Sequence, residues 1–194
     1  MSRLMFSSDL HLGHANVCKW RTQFDFVEQH DDYIIEKHKA VLNKRDTWIC
    51  LGDVAFTKEG LLRLKGIVCQ RKILILGNHC TERGLTVADY LEVFDEVHSM
   101  KKCSYQGVKY WITHCPIHPM EMRKCDLNIH GHMHEHSLDD PRYVNACLEH
   151  TNYEPIWIEH LLGIQKGESL YPDAMERKLA RDKLPKPDYI RSTS

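Results

Sequence analysis

The segment "NIHGHMHEH", residues 128–136, carries a histidine at every second position: His130, His132, His134 and His136. On an extended strand the four imidazoles would share one face. Gly131 interrupts that pattern, and a turn after Ile129 would send His132 and His134 in different directions, as ligands of two neighbouring ions must go. With 14 histidines in 194 residues, about one His-x-His pair is expected by chance, so the segment decides nothing alone. Four further stretches carry donors of the same kind: "DLH" with Asp9 and His11, "GD" with Asp53, "GNH" with Asn78 and His79, and "THC" with His114. All offer oxygen or imidazole, a chemistry that suits manganese, iron, zinc or nickel better than a thiolate-built structural site, and they suffice for two ions.

Short apolar runs must position these donors. "RLMFSSD", "DTWICLGD" and "RKILILGN" each stop at a polar loop and read as strands. Between the first two, Ile34, Ile35, His38, Val41 and Leu42 recur at helical spacing and predict a helix over 31–44, and "GLLRLKGIV" predicts a shorter one. Strands alternating with helices imply right-handed crossovers and a mainly parallel sheet with functional groups at its carboxyl ends. Downstream we expect a helix over "TVADYLEVF", strands over "EVHSMKKCSY", "VKYWITHC", "DLNIHGH" and "RYVNACLEH", and a closing helix over "EPIWIEHLLG" that starts near Pro155. The expectation is an α/β chain with two sheets and helices outside: one domain over 1–164, then a peripheral C-terminal helix and flexible tail over 165–194.

Apolar residues make up 42% of the chain and the formal net charge is -1, so no overall basic field gathers nucleic acid. No segment approaches the ~20 apolar residues of a membrane span, and the N-terminal apolar run is too short for a secretory signal; a cytoplasmic location and no membrane partner follow as expectations. The eight cysteines include no C-x-x-C pair and are expected to be mostly buried free thiols.

The ordered set D-x-H, GD, GNH, H and GHxH resembles the calcineurin-like metallophosphoesterase superfamily, over roughly residues 3–164, and "DLHLGHANV" is similar to the small bacterial and phage single-domain phosphoesterases. The resemblance implies a four-layer α-β-β-α sandwich and two divalent transition-metal ions, manganese first, with zinc, iron or nickel as alternatives. It implies Asp9, His11 and His134 on one ion, Asn78, His114 and His132 on the other, and Asp53 as the bridge. His79 would be the catalytic acid, and His14, Asn78 and His79 would meet the substrate. The implied reaction is hydrolysis of small phosphodiesters or phosphomonoesters, nucleotide-like, through attack of a metal-bridging hydroxide. Two cations neutralise the anionic oxygens that repel a nucleophile and lower the pKa of water toward ~7; a histidine then protonates the leaving oxygen.

One position departs from the pattern. The family usually continues "GNH" with Asp or Glu, and this chain has Cys80, whose thiol holds a histidine poorly. A weakened acid, a redox-sensitive position or a passive substitution would each follow. Two rival readings stand beside the small-molecule enzyme: a nuclease or phosphatase acting on nucleic-acid ends, which needs a broad basic groove, and a catalytically weakened binding protein on the same fold. Plainer readings exist for single residues. Asp9 and Asp53 could be helix caps, His118 in "PIHP" a turn residue, and Asn43, Lys44 and Arg45 a solvated turn. His130 and His136 fall outside the ligand pattern, and oligomeric state is left open.

Overall fold

The computed structural model describes residues 2–163; the helix and tail expected over 165–194 lie outside them. Strands β1 (Leu4–Ser7), β2 (Thr47–Cys50) and β3 (Arg71–Ile75) pair in parallel, with Phe6 beside Ile49 and Ile49 beside Ile73. Because successive side chains alternate, Met5, Trp48 and Leu74 enter one interior and Phe6, Ile49 and Ile73 the other. A sheet buried on both faces needs near-continuous apolar strands, which is why these three read as unbroken runs. β4 (Glu96–His98) adds to β3 in parallel, and β9 (Ile156–Trp157) adds to β1 antiparallel, giving the order β4-β3-β2-β1-β9.

Three helices cover the outer face of this sheet: α1 (Val27–Val41), α2 (Lys58–Arg63) and α3 (Val87–Leu91). They deliver Ile34 and Ile35, Leu61, and Tyr90 to the interior that holds Met5 and Trp48. Thr57 Oγ1 accepts the Gly60 N–H at the start of α2, and Thr86 with Asp89 forms a reciprocal capping box on α3. The second sheet runs β5 (Lys101–Tyr105), β6 (Val108–Ile112), β7 (Leu127–His130) and β8 (Tyr143–Asn145), antiparallel between β5 and β6 and parallel thereafter. Its inner face presents Tyr110, Ile112, Leu127, Ile129 and Val144 to Phe6, Ile49 and Ile75, and α4 (Ile158–Leu162) adds Ile158 and Leu161. Full burial of each such side chain is worth roughly 1.5–3 kcal/mol. The expected α/β chain with two packed sheets, in the layer order α-β-β-α, is therefore present. Its second outer layer, among the described residues, is the single 3-10 turn Pro119–Met122, where Trp111 Nε1 donates to Glu121 O at 2.9 Å.

Three segments differ from expectation. "RYVNACLEH" is a strand only over Tyr143–Asn145 and ends in a 3-10 turn at Leu148–His150. "EVHSMKKCSY" is two strands in two sheets: β4 ends at His98, whose carbonyl accepts the Leu76 N–H, and β5 begins three residues later beside β6. "EPIWIEHLLG" opens as β9 before it becomes α4, because Ile156 and Trp157 pair with Phe6 and Met5 along the free edge of β1. The cysteines are also less buried than expected: all eight are free thiols, but only Cys50, Cys80 and Cys147 are buried and Cys115 is exposed. Among the described residues no helix is long and apolar enough to cross a membrane.

Candidate metal centre

Past their last strand residues, β1 and β2 continue to run together. Leu51 N–H donates to Ser7 O (2.9 Å), Asp9 N–H to Gly52 O (3.1 Å) and His11 N–H to Asp53 O (2.9 Å). This ladder sets Asp9 and His11 beside Asp53. From β3 the chain passes Gly77, where a Cβ would collide with Asp53 Oδ1, and His79 N–H then donates to that oxygen at 2.9 Å. The second sheet supplies His114 after β6, and His132 and His134 after β7. Gly131 N–H donates to His114 O (2.9 Å), and a Cβ on Gly131 would strike Ser8 Oγ, so only glycine lets the two sheet ends meet here.

The backbone is strained where these elements converge. Nine non-glycine residues among those described have positive φ, and five of them are candidate ligands: Asp9 (61°), His11 (53°), Asp53 (45°), His132 (68°) and His134 (46°). Each such conformation costs on the order of 1–3 kcal/mol and persists only where its surroundings enforce it.

The donors gather into two sets. Asp9 Oδ2 accepts from Ser8 Oγ (2.6 Å), His132 N–H (2.9 Å) and Cys147 Sγ (3.1 Å). Its Oδ1 is left 3.6 Å from His11 Nε2 and 3.7 Å from His134 Nε2. In the second set, His114 Nδ1–H donates to Leu51 O (2.7 Å), which turns Nε2 toward Asn78 Oδ1 (2.9 Å) and Asp53 Oδ2 (3.2 Å). The His132 ring lies 5.1 Å from that of His114. Asp9, Asp53 and His114 themselves fall within 4.8 Å of one another, which places the two carboxylates between the sets. Ligand atoms that share an ion ~2.1 Å away stand roughly 3–3.5 Å apart, close to these separations. Asp9 Oδ1 and both ring nitrogens of His11 are buried without a hydrogen-bond partner among the described residues, as groups reserved for a cation would be. The donor set fits divalent metal.

Electrostatics point the same way. Burial works against the charge on Asp9, but His11, His114 and His134 outweigh it and hold the carboxyl well below its usual range. Asp53 follows the same pattern: burial opposes its charge and His114 lowers its pKa. Burial lowers the His114 pKa, yet Asp53 and Asp9 raise it overall; Glu149 raises that of His134. Burial instead lowers the pKa values of His11 and His132, so only part of the cluster is drawn toward the charged form; the two buried carboxylates still call for positive charge, and dications answer that demand more fully than imidazolium.

The remaining expected residues are placed as follows. His14 stacks on Phe56 (4.2 Å) and on Trp20 (5.5 Å), 5.7 Å from His11, and burial followed by His11 and Arg83 pushes its pKa down to about 4. His118 caps the 3-10 turn at Pro119, and His136 is exposed. His130 is buried on β7, donating to Gly131 O. Asn43, Lys44 and Arg45 form a turn built on Asp46 at the opposite, amino-terminal end of β2.

Cys80, the departure already visible in the sequence, is buried and accepts the Gly77 N–H at 3.1 Å, which fits the passive reading of that position. Four contributors escaped the sequence reading. Glu82 Oε2 lies 2.5 Å from His79 Nδ1 and supplies the carboxylate that position 80 lacks; its place three residues after His79 was the available signal. Arg21, 4% exposed, donates to Asp9 O (2.6 Å) and Glu149 Oε1 (2.8 Å), and Glu149 in turn meets His134 Nδ1 at 3.1 Å. At a sequence separation of 128, Arg21 and Glu149 left no local pattern. The fourth is Cys115, whose thiol falls within 4.8 Å of ring nitrogens of His114 and His132.

No family model matches the chain. It is 25% identical over 180 residues to an uncharacterized protein of Methanocaldococcus jannaschii, MJ1445, covering 87% of this chain and 94% of that one. Among solved structures it is similar to AQ665 of Aquifex aeolicus, a protein of unknown function, with TM-score 0.69, 26% identity, and coverage of 85% of this chain and all of that one. A weaker likeness, TM-score 0.45 at 17% identity over 75% of this chain and 82% of the other, is to an archaeal phosphodiesterase.

Proposed function

We propose that this chain is a dinuclear metal-dependent phosphoesterase that hydrolyses small, nucleotide-like phosphodiesters or phosphomonoesters. The observation that carries the reading is the convergence of the two donor sets on Asp9 and Asp53, held by five ligand positions in left-handed backbone. Asp9, His11 and His134 would hold one ion, Asn78, His114 and His132 the other, and Asp53 would lie between them. Two such ions, manganese first with zinc, iron or nickel as alternatives, would polarise the phosphoryl oxygens and make water nucleophilic near neutral pH.

The chain's own side chains supply the rest. With Nδ1 engaged by Glu82, the His79 ring keeps Nε2 for the leaving oxygen, 6.4 Å ring to ring from His11. Glu149 and Arg21 fix the His134 ring and the Asp9 backbone from behind. The complete His79–Glu82 pair favours an enzyme over a binding protein that has lost its acid. Asn78 and His14 would complete the phosphate contacts. A ladder of rings runs outward from the ligands, from His11 to Phe56 to His14 to Trp20, and Trp20 is 69% exposed. Arg83 lies over Phe56 with no carboxylate partner among the described residues. A flat platform beside a cation suits a nucleobase joined to a phosphate, which is what supports nucleotide-like substrates over simple phosphoesters.

The test is a panel of bis-aryl diesters, cyclic nucleotides, 3′- and 5′-nucleotides and dinucleoside polyphosphates, with manganese, nickel and zinc added separately and a chelator control. The expected result is metal-dependent release from at least one nucleotide class. Two bound ions without turnover on any member would overturn the reading.

A further inference from the structure

Cys115 is the exposed cysteine of the eight, and it sits directly after His114 where β6 gives way to a bend. In a continuing strand its side chain would point away from that of His114. The bend instead brings its Sγ within 4.8 Å of ring nitrogens of both His114 and His132. The backbone around it is fixed on both sides: Thr113 Oγ1 donates to Cys115 O (2.7 Å), Ile117 N–H donates to Asn128 Oδ1 (3.0 Å), and Tyr143 OH donates to Ile117 O (2.7 Å). Only the side chain is left to turn. Neither the Cys115 thiol nor the His132 imidazole makes a hydrogen bond among the described residues. The buried thiols near the centre are committed elsewhere, Cys80 to the Gly77 N–H and Cys147 to Asp9 Oδ2.

We propose that Cys115 is a sulfur ligand to the ion held by His114 and His132. The inference rests on the metal-centre reading above and makes the centre unequal. One side offers Asp9, His11 and His134, all oxygen and nitrogen; the other adds a thiolate. A thiolate favours zinc, iron or cobalt over manganese, so the two positions take different ions when both are supplied. Ligation forms a metal–sulfur bond and breaks the S–H bond, the proton passing to solvent.

Cobalt(II) tests this without any turnover measurement. The full chain, stripped and reloaded with cobalt, is expected to show visible d–d bands together with a near-ultraviolet sulfur-to-cobalt charge-transfer band. Cys115→Ser should keep the d–d bands and lose the charge-transfer band, while Cys69→Ser, altered at a distant thiol, should keep both. Cobalt binding without the charge-transfer band in the native chain, or with a band that survives Cys115→Ser, overturns the ligand while leaving the metal centre intact. No cobalt binding at all overturns the metal centre and the ligand with it.

Discussion

His38 on α1 offers the most quantitative test of the packing beneath the site. It is fully buried; Nδ1–H donates to Ile34 O (2.8 Å) and Nε2 accepts from Ser7 Oγ (3.1 Å), whose oxygen also accepts from Trp48 Nε1 (2.8 Å). This arrangement satisfies only the neutral ring. A proton on Nε2 would face a hydroxyl already accepting one donor, inside an interior with no counter-charge among its hydrogen-bond partners. Burial accordingly pushes the His38 pKa down to about 4, against ~6.5 in an unfolded chain. The sign follows: the unfolded state takes the proton first, so the contribution is complete above the unfolded value and is lost as pH falls toward the folded one. At pH 5 the unfolded ring is ~1.5 units below its pKa and the folded ring is still neutral, a loss of about 2 kcal/mol. Urea unfolding of chelator-treated protein at pH 7 and pH 5, for the native chain and His38→Gln, measures it. Burial also lowers the pKa values of His30 and His130, but these rings are common to both proteins and cancel in the comparison. We expect the native chain to lose about 2 kcal/mol more than the variant across that interval. Equal losses would refute the assignment of a buried neutral His38.

Three further outcomes concern the site. Asp53→Asn should bind fewer than two ions per chain by elemental analysis and lose more than the ~100-fold that a residue behind a ligand can cost; two ions with near-native turnover would remove Asp53 from its bridging place. Glu82→Gln should resemble His79→Ala, slowing esters with poor leaving groups more than activated aryl esters by part of the ~10²–10⁴-fold that a general acid contributes; equal slowing would mean that the pair only binds phosphate. Trp20→Ala should raise KM roughly 5-fold or more for a nucleotide, from the ~1–3 kcal/mol of a stacked base, and leave a base-free phosphoester unchanged; parallel changes on both would deny the platform.

Much of the architecture was legible because buried parallel strands write themselves as unbroken apolar runs. β1, β2 and β3 stand inside the runs "RLMFSSD", "DTWICLGD" and "RKILILGN", and the donors sit just past their carboxyl ends. Assignment to a sheet was not legible. The run from Glu96 to Tyr105 looks uniform, yet it serves both sheets, since period-two alternation records that a strand is half buried and not which partner it takes. Ile156 and Trp157 reveal the same gap: their pairing with β1 is a tertiary event 150 residues away in the chain, and it overrode the helical pattern that begins with the next residue.

The site divides along the same line. Donor types and order are written locally, so the stretches that carry them could be named from the residues, and the resemblance then implied Asp9, His11, Asp53, Asn78, His114, His132 and His134 as the ligand set. What orients them is not local. The left-handed backbone at five of those positions carries no signature in the residues themselves, because Asp and His are unremarkable in either conformation until the fold imposes one. Position 80 shows the hazard of reading function from a motif letter by letter. The pattern that the chain resembles has a carboxylate there, and its absence left a weakened acid, a redox-sensitive position or a passive substitution open; in three dimensions the chain turns after His79 and brings Glu82 to the imidazole. A carboxylate's effect on a histidine depends on distance and not on sequence separation. Cys80 itself is a small thiol in the core at 1% exposure, and the Tyr90 hydroxyl donates to Cys80 O at 2.8 Å. Burial of Cys80 agrees with the passive reading of that position, and the Glu82→Gln comparison tests whether the neighbouring carboxylate serves His79.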